Sequence, residues 1–254
     1  MAKYLEPRRH LELEGAYNIR DLGGYATSDG RRTRWKKFLR ADNLNNLTLG
    51  SQAALIEYGV RTVIDLRSTT DIQREPDVFA NSSVVTYYHQ NMNGDEPLPP
   101  MADFPEFKEP SDSSMKSYAK TLNYRRPQII ETLATLASPG VLPALVHCWA
   151  GMGRTGVITA LALGLVGVPA EAIAEDFALS ACFFVNRDLA GLPPPPGVTP
   201  RETVEEYQRH HCPPEAMLEM LQHFEERYGG VEAYALDGGL TQKQVDMLRS
   251  ALLE

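Results

Sequence analysis

The sequence predicts an α/β fold, with a central, mostly parallel sheet flanked by helices. Short apolar segments typical of buried strands alternate with longer helix-like segments, as in proteins that cross between parallel strands through a helix. The clearest such unit is an apolar segment at 141–146 that enters a glycine-rich turn and then a second helix-like segment. The 254 residues contain no long linker, so we expect a single domain over residues 1–254.

The first half of the chain predicts paired strands, a helix and two further strands. Residues 17–41 resemble a hairpin with glycine turns. Thr48 is predicted to cap a helix over residues 49–58, which Gly59 ends. The remaining elements predicted there are strands at 60–66, broken by Arg61 and Thr62, and at 84–89, and a loop at 97–110.

Helices dominate the second half. A long helix is predicted over 114–137, with Pro127 marking a kink or a break. Thr241 begins a Thr-x-x-Gln capping box for the last helix, to about residue 253. The other helices are predicted at 157–168, from Pro169 to about 180, and as a pair between 203 and 228 separated by Pro213 and Pro214.

Residues 147–156 (HCWAGMGRTG) are the most informative part of the chain. Cys148 and Arg154 bracket five residues between a strand and a helix. In such a turn, backbone N–H groups can converge on an anion, and the helix N-terminus adds partial positive charge. The planar guanidinium of Arg154 can bind two oxygens of one anion. The residues predicted to bind a phosphate are Trp149, Ala150, Gly151, Met152, Gly153 and Arg154.

The positive charge of these N–H groups, of the helix N-terminus and of Arg154 would lower the pKa of Cys148 below the ~8.5 of a free thiol and make its thiolate a nucleophile. Attack on phosphorus would give a phosphocysteine that water hydrolyses, with Arg154 stabilising the charge on the oxygens. Thr155 could hydrogen-bond the sulfur or simply begin the helix, and His147 is predicted to tune the thiolate. The alternative for the whole motif is a buried structural cysteine before an ordinary glycine turn.

This decamer resembles the signature loop of the Cys-x5-Arg protein tyrosine phosphatase superfamily. Residues 18–25 (NIRDLGGY), 63–68 (VIDLRS) and 228–234 (YGGVEAY) are similar to blocks of its bacterial and fungal tyrosine phosphatase-like, lipid-phosphatase-related branch. The resemblance implies a phosphatase fold with a helical lid-type insertion, no metal or other cofactor, and phosphotyrosine peptides as substrates. Dual-specificity and phosphoinositide activities also occur in this branch.

One departure from the branch concerns the centre of the loop. The branch usually has Lys-Asp before the signature arginine, and this chain has Met152 and Gly153. A loop aspartate is therefore excluded as general acid, and the missing lysine argues against phosphoinositides as main substrates. A phosphatase of a small phosphorylated metabolite and a phosphate-binding module without turnover stay open. A rhodanese-type sulfurtransferase fits the Arg-Thr-Gly ending less well.

Asp65 is the first candidate for the general acid, because it ends an apolar strand and the resemblance places an aspartate there near the loop. Its alternative is a structural carboxylate paired with Arg67 or Arg20. Three further aspartates remain candidates: Asp21, Asp103 and Asp112.

The overall charge and the cysteines limit partners and compartment. The net charge of −8 argues against nucleic acid and acidic membrane surfaces as partners. Cys182 and Cys212 lack basic surroundings, are predicted to be structural, and form no Cys-x-x-Cys pair. The N-terminus lacks an apolar signal core and the helix after the loop is too short to span a bilayer, so we expect a soluble, cytoplasmic protein without stable membrane insertion. Export without a cleaved signal stays open.

Overall fold

The computed structural model describes residues 6–96, 122, 124–189 and 203–254. The strands of its sheet are β1 Arg20–Asp21, β2 Phe38–Ala41, β3 Thr62–Asp65, β4 Thr86–His89 and β5 Ala144–His147. Their order across the sheet is β1-β2-β5-β3-β4. The β1–β2 pair is antiparallel and the other three pairs are parallel, so the predicted mostly parallel sheet is confirmed.

The three central strands are buried along their whole length because helices cover both faces of the sheet. One apolar cluster includes Val146 and Leu161, and a second, separate cluster includes Leu145 and Leu55. Val146 and Leu145 are neighbours in β5, so alternate side chains of this strand enter the two clusters. Thr62 is buried as well, contrary to the prediction that it interrupts the strand, whereas Arg61 is exposed.

Ten α-helices lie in the described ranges, and several begin where the sequence predicts. The helices are α1 Leu49–Tyr58, α2 Thr69–Arg74, α3 Arg126–Leu136, α4 Gly153–Leu165, α5 Ala170–Ala178, α6 Ser180–Leu189, α7 Val204–His211, α8 Pro214–Tyr228, α9 Val231–Asp237 and α10 Gln242–Leu252. Thr48 caps α1 by accepting a hydrogen bond from the Ser51 N–H, and Gly59 ends that helix. Thr203 and Thr241 form capping boxes at the starts of α7 and α10.

Three helices were not anticipated as separate elements: α2, α6 and α9. The helix predicted to run to about residue 180 ends at Ala178, and α6 begins two residues later. The predicted loop 97–110 and the start of the predicted helix 114–137 lie outside the described residues. The helical lid-type insertion stays a prediction. Within the described ranges, no helix combines the length and apolar character needed to cross a lipid bilayer.

Candidate active site

The signature motif lies at the carboxyl end of β5, in the middle of the sheet, where open α/β folds bind ligands. Cys148 follows this strand directly, and α4 begins at Gly153. The backbone of Gly151 has φ +64°, and a Cβ at this position would lie 2.3 Å from the Ala41 carbonyl oxygen. Only glycine therefore fits this tight turn against β2.

The Cys148 side chain is buried, yet its surroundings favour the thiolate. Burial alone would raise the pKa of Cys148. The Arg154 charge and the Thr155 hydroxyl lower this pKa, as do the backbone N–H groups of Thr155 and Gly151. Together they outweigh the effect of burial, so the pKa of the thiol falls below its usual value. Within the described ranges, no other group makes a hydrogen bond of standard geometry with the buried Thr155 hydroxyl. Because nothing else engages this hydroxyl, the geometry favours its interaction with the Cys148 sulfur.

The other two cysteines have the opposite electrostatics. Burial raises the pKa of Cys182, which is half-buried, and raises that of Cys212 to about 12. The Cys212 thiol donates to the Ala178 carbonyl at 3.8 Å. All three cysteines are free thiols. Of the three, only Cys148 lies in surroundings that favour a nucleophile.

The Arg154 guanidinium points across the carboxyl edge of the sheet toward the chain that follows β3. Its Nη1 donates to the Leu66 carbonyl at 3.3 Å and lies 3.5 Å from Asp71 Oδ2. Asp71 belongs to the capping box of α2, in which its carboxylate accepts from the Ser68 N–H at 3.1 Å. Burial would raise the pKa of Asp71, but Ser68 and Arg154 lower it below its usual value. Sequence analysis missed Asp71, an ionised partner for Arg154.

Asp65 is fully buried and already saturated with donors. The Arg67 backbone N–H donates to Oδ1 at 2.9 Å and its guanidinium to Oδ2 at 2.6 Å, while the Tyr87 hydroxyl donates to Oδ2 at 2.9 Å. Burial raises the pKa of Asp65, but the His147 charge and the Arg67 hydrogen bonds lower it to about 2. An ionised carboxylate held in this way cannot give up a proton near neutral pH. The geometry therefore favours the structural pairing with Arg67 over the predicted role as general acid.

His147 lies beneath the loop between two carboxylates. Its Nε2 is 3.1 Å from Asp77 Oδ2 and 3.6 Å from Asp65 Oδ2, and all three side chains are fully buried. Burial lowers the pKa of His147, but Asp65 and Asp77 outweigh burial and raise it above the usual value. These three residues form the one cluster in the described ranges that could hold a metal ion. The His147 imidazolium and the Arg67 guanidinium already neutralise the two carboxylates of this cluster. The arrangement therefore fits an ion-pair network better than a cation site.

The other predicted acids are no better placed. Asp21 accepts hydrogen bonds from the Tyr58 hydroxyl and from the backbone N–H groups of Lys36 and Gly23, each at 2.7 Å. Its carboxylate therefore secures the turn after β1. Asp103 and Asp112 lie outside the described residues.

The mouth of the loop includes an exposed aromatic side chain, Trp149, with 37% of its surface accessible. The Trp149 carbonyl accepts a hydrogen bond from the Asn43 N–H at 3.0 Å. The Asn43 side chain in turn accepts from Arg67 Nη1 at 2.7 Å. Asn43, which sequence analysis did not identify, thus links the loop to the Asp65 ion pair.

Comparisons with known proteins identify the family of this chain. The sequence model of a family described as "Tyrosine phosphatase family" matches residues 11–254. A tyrosine-protein phosphatase of Nostoc commune is 27% identical over 226 residues, or 85% of this chain and 74% of that protein. The triple specificity protein phosphatase PtpB of Mycobacterium tuberculosis is 24% identical over 289 aligned positions, or 95% of this chain and 98% of that protein.

A solved structure, that of TpbA from P. aeruginosa, aligns with 58% of this chain and 71% of its own, with a TM-score of 0.34 and 19% identity. The family match spans nearly the whole sequence, including both the signature loop and the N-terminal block. The chain therefore belongs to the tyrosine phosphatase family and is a phosphoric monoester hydrolase.

Proposed function

We propose that this chain hydrolyses phosphotyrosine and other aryl phosphates through a phosphocysteine intermediate. The observation that supports this most directly is a buried Cys148 whose pKa is lowered beside Arg154. The thiolate attacks phosphorus, so that an S–P bond forms as the P–O ester bond breaks and the phenol oxygen leaves. Water then attacks phosphorus and releases inorganic phosphate and the thiolate.

The loop and Arg154 bind the transferring phosphoryl group. Backbone N–H groups of residues 149–154 and the Arg154 guanidinium are the donors for its oxygens, whose charge is largest in the transition state. The Thr155 hydroxyl stabilises the sulfur when it becomes the leaving group of the second step. The Asp71 carboxylate holds the Arg154 guanidinium in place.

The preference for aryl esters follows from the carboxylates around the loop. Among the described residues, the neighbours of Asp65 and Asp71 hold the pKa of both carboxylates below the usual value, which favours the ionised form. Burial raises the pKa of Asp21, but its carboxylate is bound to Tyr58, Lys36 and Gly23 in the turn after β1. A phenol leaves without full protonation, whereas an alkyl alcohol needs a general acid. Exposed Trp149, the residue after Cys148, offers a face for an aromatic ring. Met152, which replaces a lysine of the branch, offers no charge for a second phosphate.

The nucleophile is tested by Cys148→Ser with p-nitrophenyl phosphate as substrate. We expect activity to fall by at least a thousandfold and the phosphoryl adduct on Cys148, seen by mass spectrometry of acid-quenched wild type, to vanish. Cys212→Ser is the matched control and should retain activity, since that thiol donates to the Ala178 carbonyl of α5 and burial raises its pKa. Undiminished hydrolysis by Cys148→Ser would exclude the mechanism.

The substrate class is tested by a screen of phosphopeptides, phosphoinositides and phosphorylated metabolites with the pure protein. We expect phosphotyrosine peptides to have the highest kcat/KM and phosphoinositides to be poor substrates. A metabolite that exceeds the peptides would replace them as the assigned class. The assays need reducing conditions, because the reaction requires a free thiolate.

A cytoplasmic location stays a prediction from the sequence.

A further inference from the structure

A buried ion cluster lies directly beneath the signature loop. The Asp176 carboxylate pairs with two guanidinium groups, those of Arg20 at 3.1 Å and Arg40 at 2.7 Å, and these three side chains are at most 1% exposed. The Tyr25 hydroxyl also donates to Asp176, at 2.8 Å. Helix α5 supplies the carboxylate, and strands β1 and β2 supply the arginines. The cluster therefore connects the sheet to the helical layer under the loop.

Arg40 extends from this cluster to the loop itself. Its Nη2 donates to the Gly151 carbonyl at 2.6 Å, and its Nη1 also donates to the Thr159 hydroxyl of α4 at 3.1 Å. The Gly151 carbonyl thus faces the cluster, and its peptide cannot rotate to present that carbonyl to an anion in the loop. A carbonyl turned toward bound phosphate would repel it.

Asn18 holds the preceding carbonyl in the same way. Its Nδ2 donates to the Ala150 carbonyl at 3.0 Å and, at a longer 3.4 Å, to that of Gly151. Its Oδ1 accepts from Arg20 Nη1, so the amide is oriented by the ion cluster. Asn18 and Arg20 belong to the N-terminal block 18–25, which gives this block a physical reason to accompany the loop.

The charge of the cluster favours an anion in the loop. Two guanidinium groups share one carboxylate, and Arg9, which binds backbone carbonyls, adds positive charge from further away. Buried positive charge without a full set of partners is costly unless an anion lies nearby. Burial and Arg20 lower the pKa of Arg40 to about 10, whereas Asp176 and the Cys148 thiolate act in the opposite direction. Arg40 is thus charged at neutral pH, and its interaction with the thiolate is mutual.

We propose that Arg40 and Asn18 are positioning residues for the signature loop: both fix its carbonyls away from the bound anion, and Arg40 also stabilises the thiolate and the phosphoryl group from beneath. Asp176 orients the Arg40 guanidinium. The proposal rests on the proposed function only in naming a phosphoryl group as the anion.

The test compares Arg40→Met and Arg40→Lys with a matched control, Arg249→Met. Arg249 makes the same kinds of contact at the other end of α4: its Nε donates to the Leu165 carbonyl at 2.9 Å and its Nη2 pairs with Glu232 at 2.6 Å. Two readouts need no turnover. They are the pH dependence of Cys148 alkylation by iodoacetamide, and the protection that inorganic phosphate gives against it.

In Arg40→Met we expect the alkylation midpoint to rise by about one pH unit and phosphate protection to weaken by about tenfold. Arg40→Lys should keep the wild-type alkylation midpoint, since the positive charge remains. It should lose part of the phosphate protection, since lysine lacks the planar guanidinium that binds two partners at once. Arg249→Met should change neither readout. A midpoint and protection equal to wild type in folded Arg40→Met would overturn the role of Arg40.

Asn18→Ala keeps the test decisive if Arg40→Met does not fold, because it removes only one amide. We expect phosphate protection to weaken several-fold with a smaller change in the midpoint, and unchanged protection would overturn the positioning role. Wild-type phosphatase activity is measured separately. A phosphate-protected, low-pKa Cys148 in an inactive wild type would contradict the proposed function and leave this inference standing.

Discussion

Asp65 shows how neighbouring hydrogen-bond donors and charges hold a buried carboxylate in its ionised form. Its pKa of about 2 lies below the value of 3.8 for a free side chain, so the folded state binds the proton more weakly than the unfolded state. The contribution of Asp65 to stability is therefore complete above about pH 4 and is lost as the pH falls toward about 2. It amounts to about 2 kcal/mol at neutral pH.

We predict that Asp65→Asn lowers the free energy of unfolding by about 3–5 kcal/mol at pH 7, because Arg67 loses its buried partner. Urea unfolding of wild type and variant between pH 7 and pH 2 measures this, and the difference should shrink below about pH 4. The rate ratio between alkyl and aryl phosphates should not change. A selective loss of alkyl phosphate hydrolysis in the folded variant would restore Asp65 as the general acid.

At the scale of the element, α2 connects a helix cap to Arg154. The Ser68 hydroxyl accepts from the Asp71 N–H, and the Asp71 carboxylate accepts from the Ser68 N–H, both at 3.1 Å. The same carboxylate faces Arg154. The capping box therefore determines where the Arg154 partner lies.

We predict that Ser68→Ala lowers stability by about 1 kcal/mol and raises KM for an aryl phosphate several-fold, because the helix start and Asp71 lose their anchor. Thr241→Ala removes the same kind of cap from α10, remote from the loop, and should cost similar stability with no change in KM. Steady-state kinetics and thermal unfolding of the two variants measure both effects. A KM of Ser68→Ala equal to that of Thr241→Ala would show that the α2 cap does not position Arg154.

The same capping chemistry explains which helices the sequence could predict. Helices α1, α7 and α10 begin after threonines, and each buries at least one apolar or aromatic side chain, Leu55, Tyr207 and Val245 among them. Helix α2 has an equally good cap, but it is six residues long and has no buried residue. Without an apolar face, no periodicity distinguishes it from a turn. Asp71 was missed for this reason.

For the whole molecule, local pattern predicted the fold class and the Cys148–Arg154 loop, but not the neighbours of the loop. The order β1-β2-β5-β3-β4 places β5 between the strands that end near Arg40 and Asp65. Strands of similar apolar composition do not reveal this order, because it depends on how the helices pack. Asn18, Arg40 and Asp176 are distant in sequence and meet only through that topology. The N-terminal block was recognised by resemblance, and the structure supplies its contacts.

Reactivity of the three cysteines tests whether this assembled environment outweighs simple exposure. Cys182 is the most accessible of them, and burial raises its pKa, whereas the pKa of the buried Cys148 is lowered. Because only the thiolate is alkylated, we expect the lowered pKa of Cys148 to matter more than the greater exposure of Cys182. We predict that iodoacetamide at about pH 6 modifies Cys148 first, and that Cys212, with a pKa of about 12, reacts only after denaturation.

Timed alkylation followed by peptide mass spectrometry measures the order of labelling, with Cys148→Ser as the control that should remain unmodified at early times. Lowering the pH from 8 to 6 should suppress labelling of Cys182 by close to the ~100-fold drop in its thiolate and that of Cys148 by less, since its pKa is the lower. Inorganic phosphate should slow only Cys148. If Cys182 is modified first at every pH, exposure decides the chemistry, and the loop does not generate the field assigned to it.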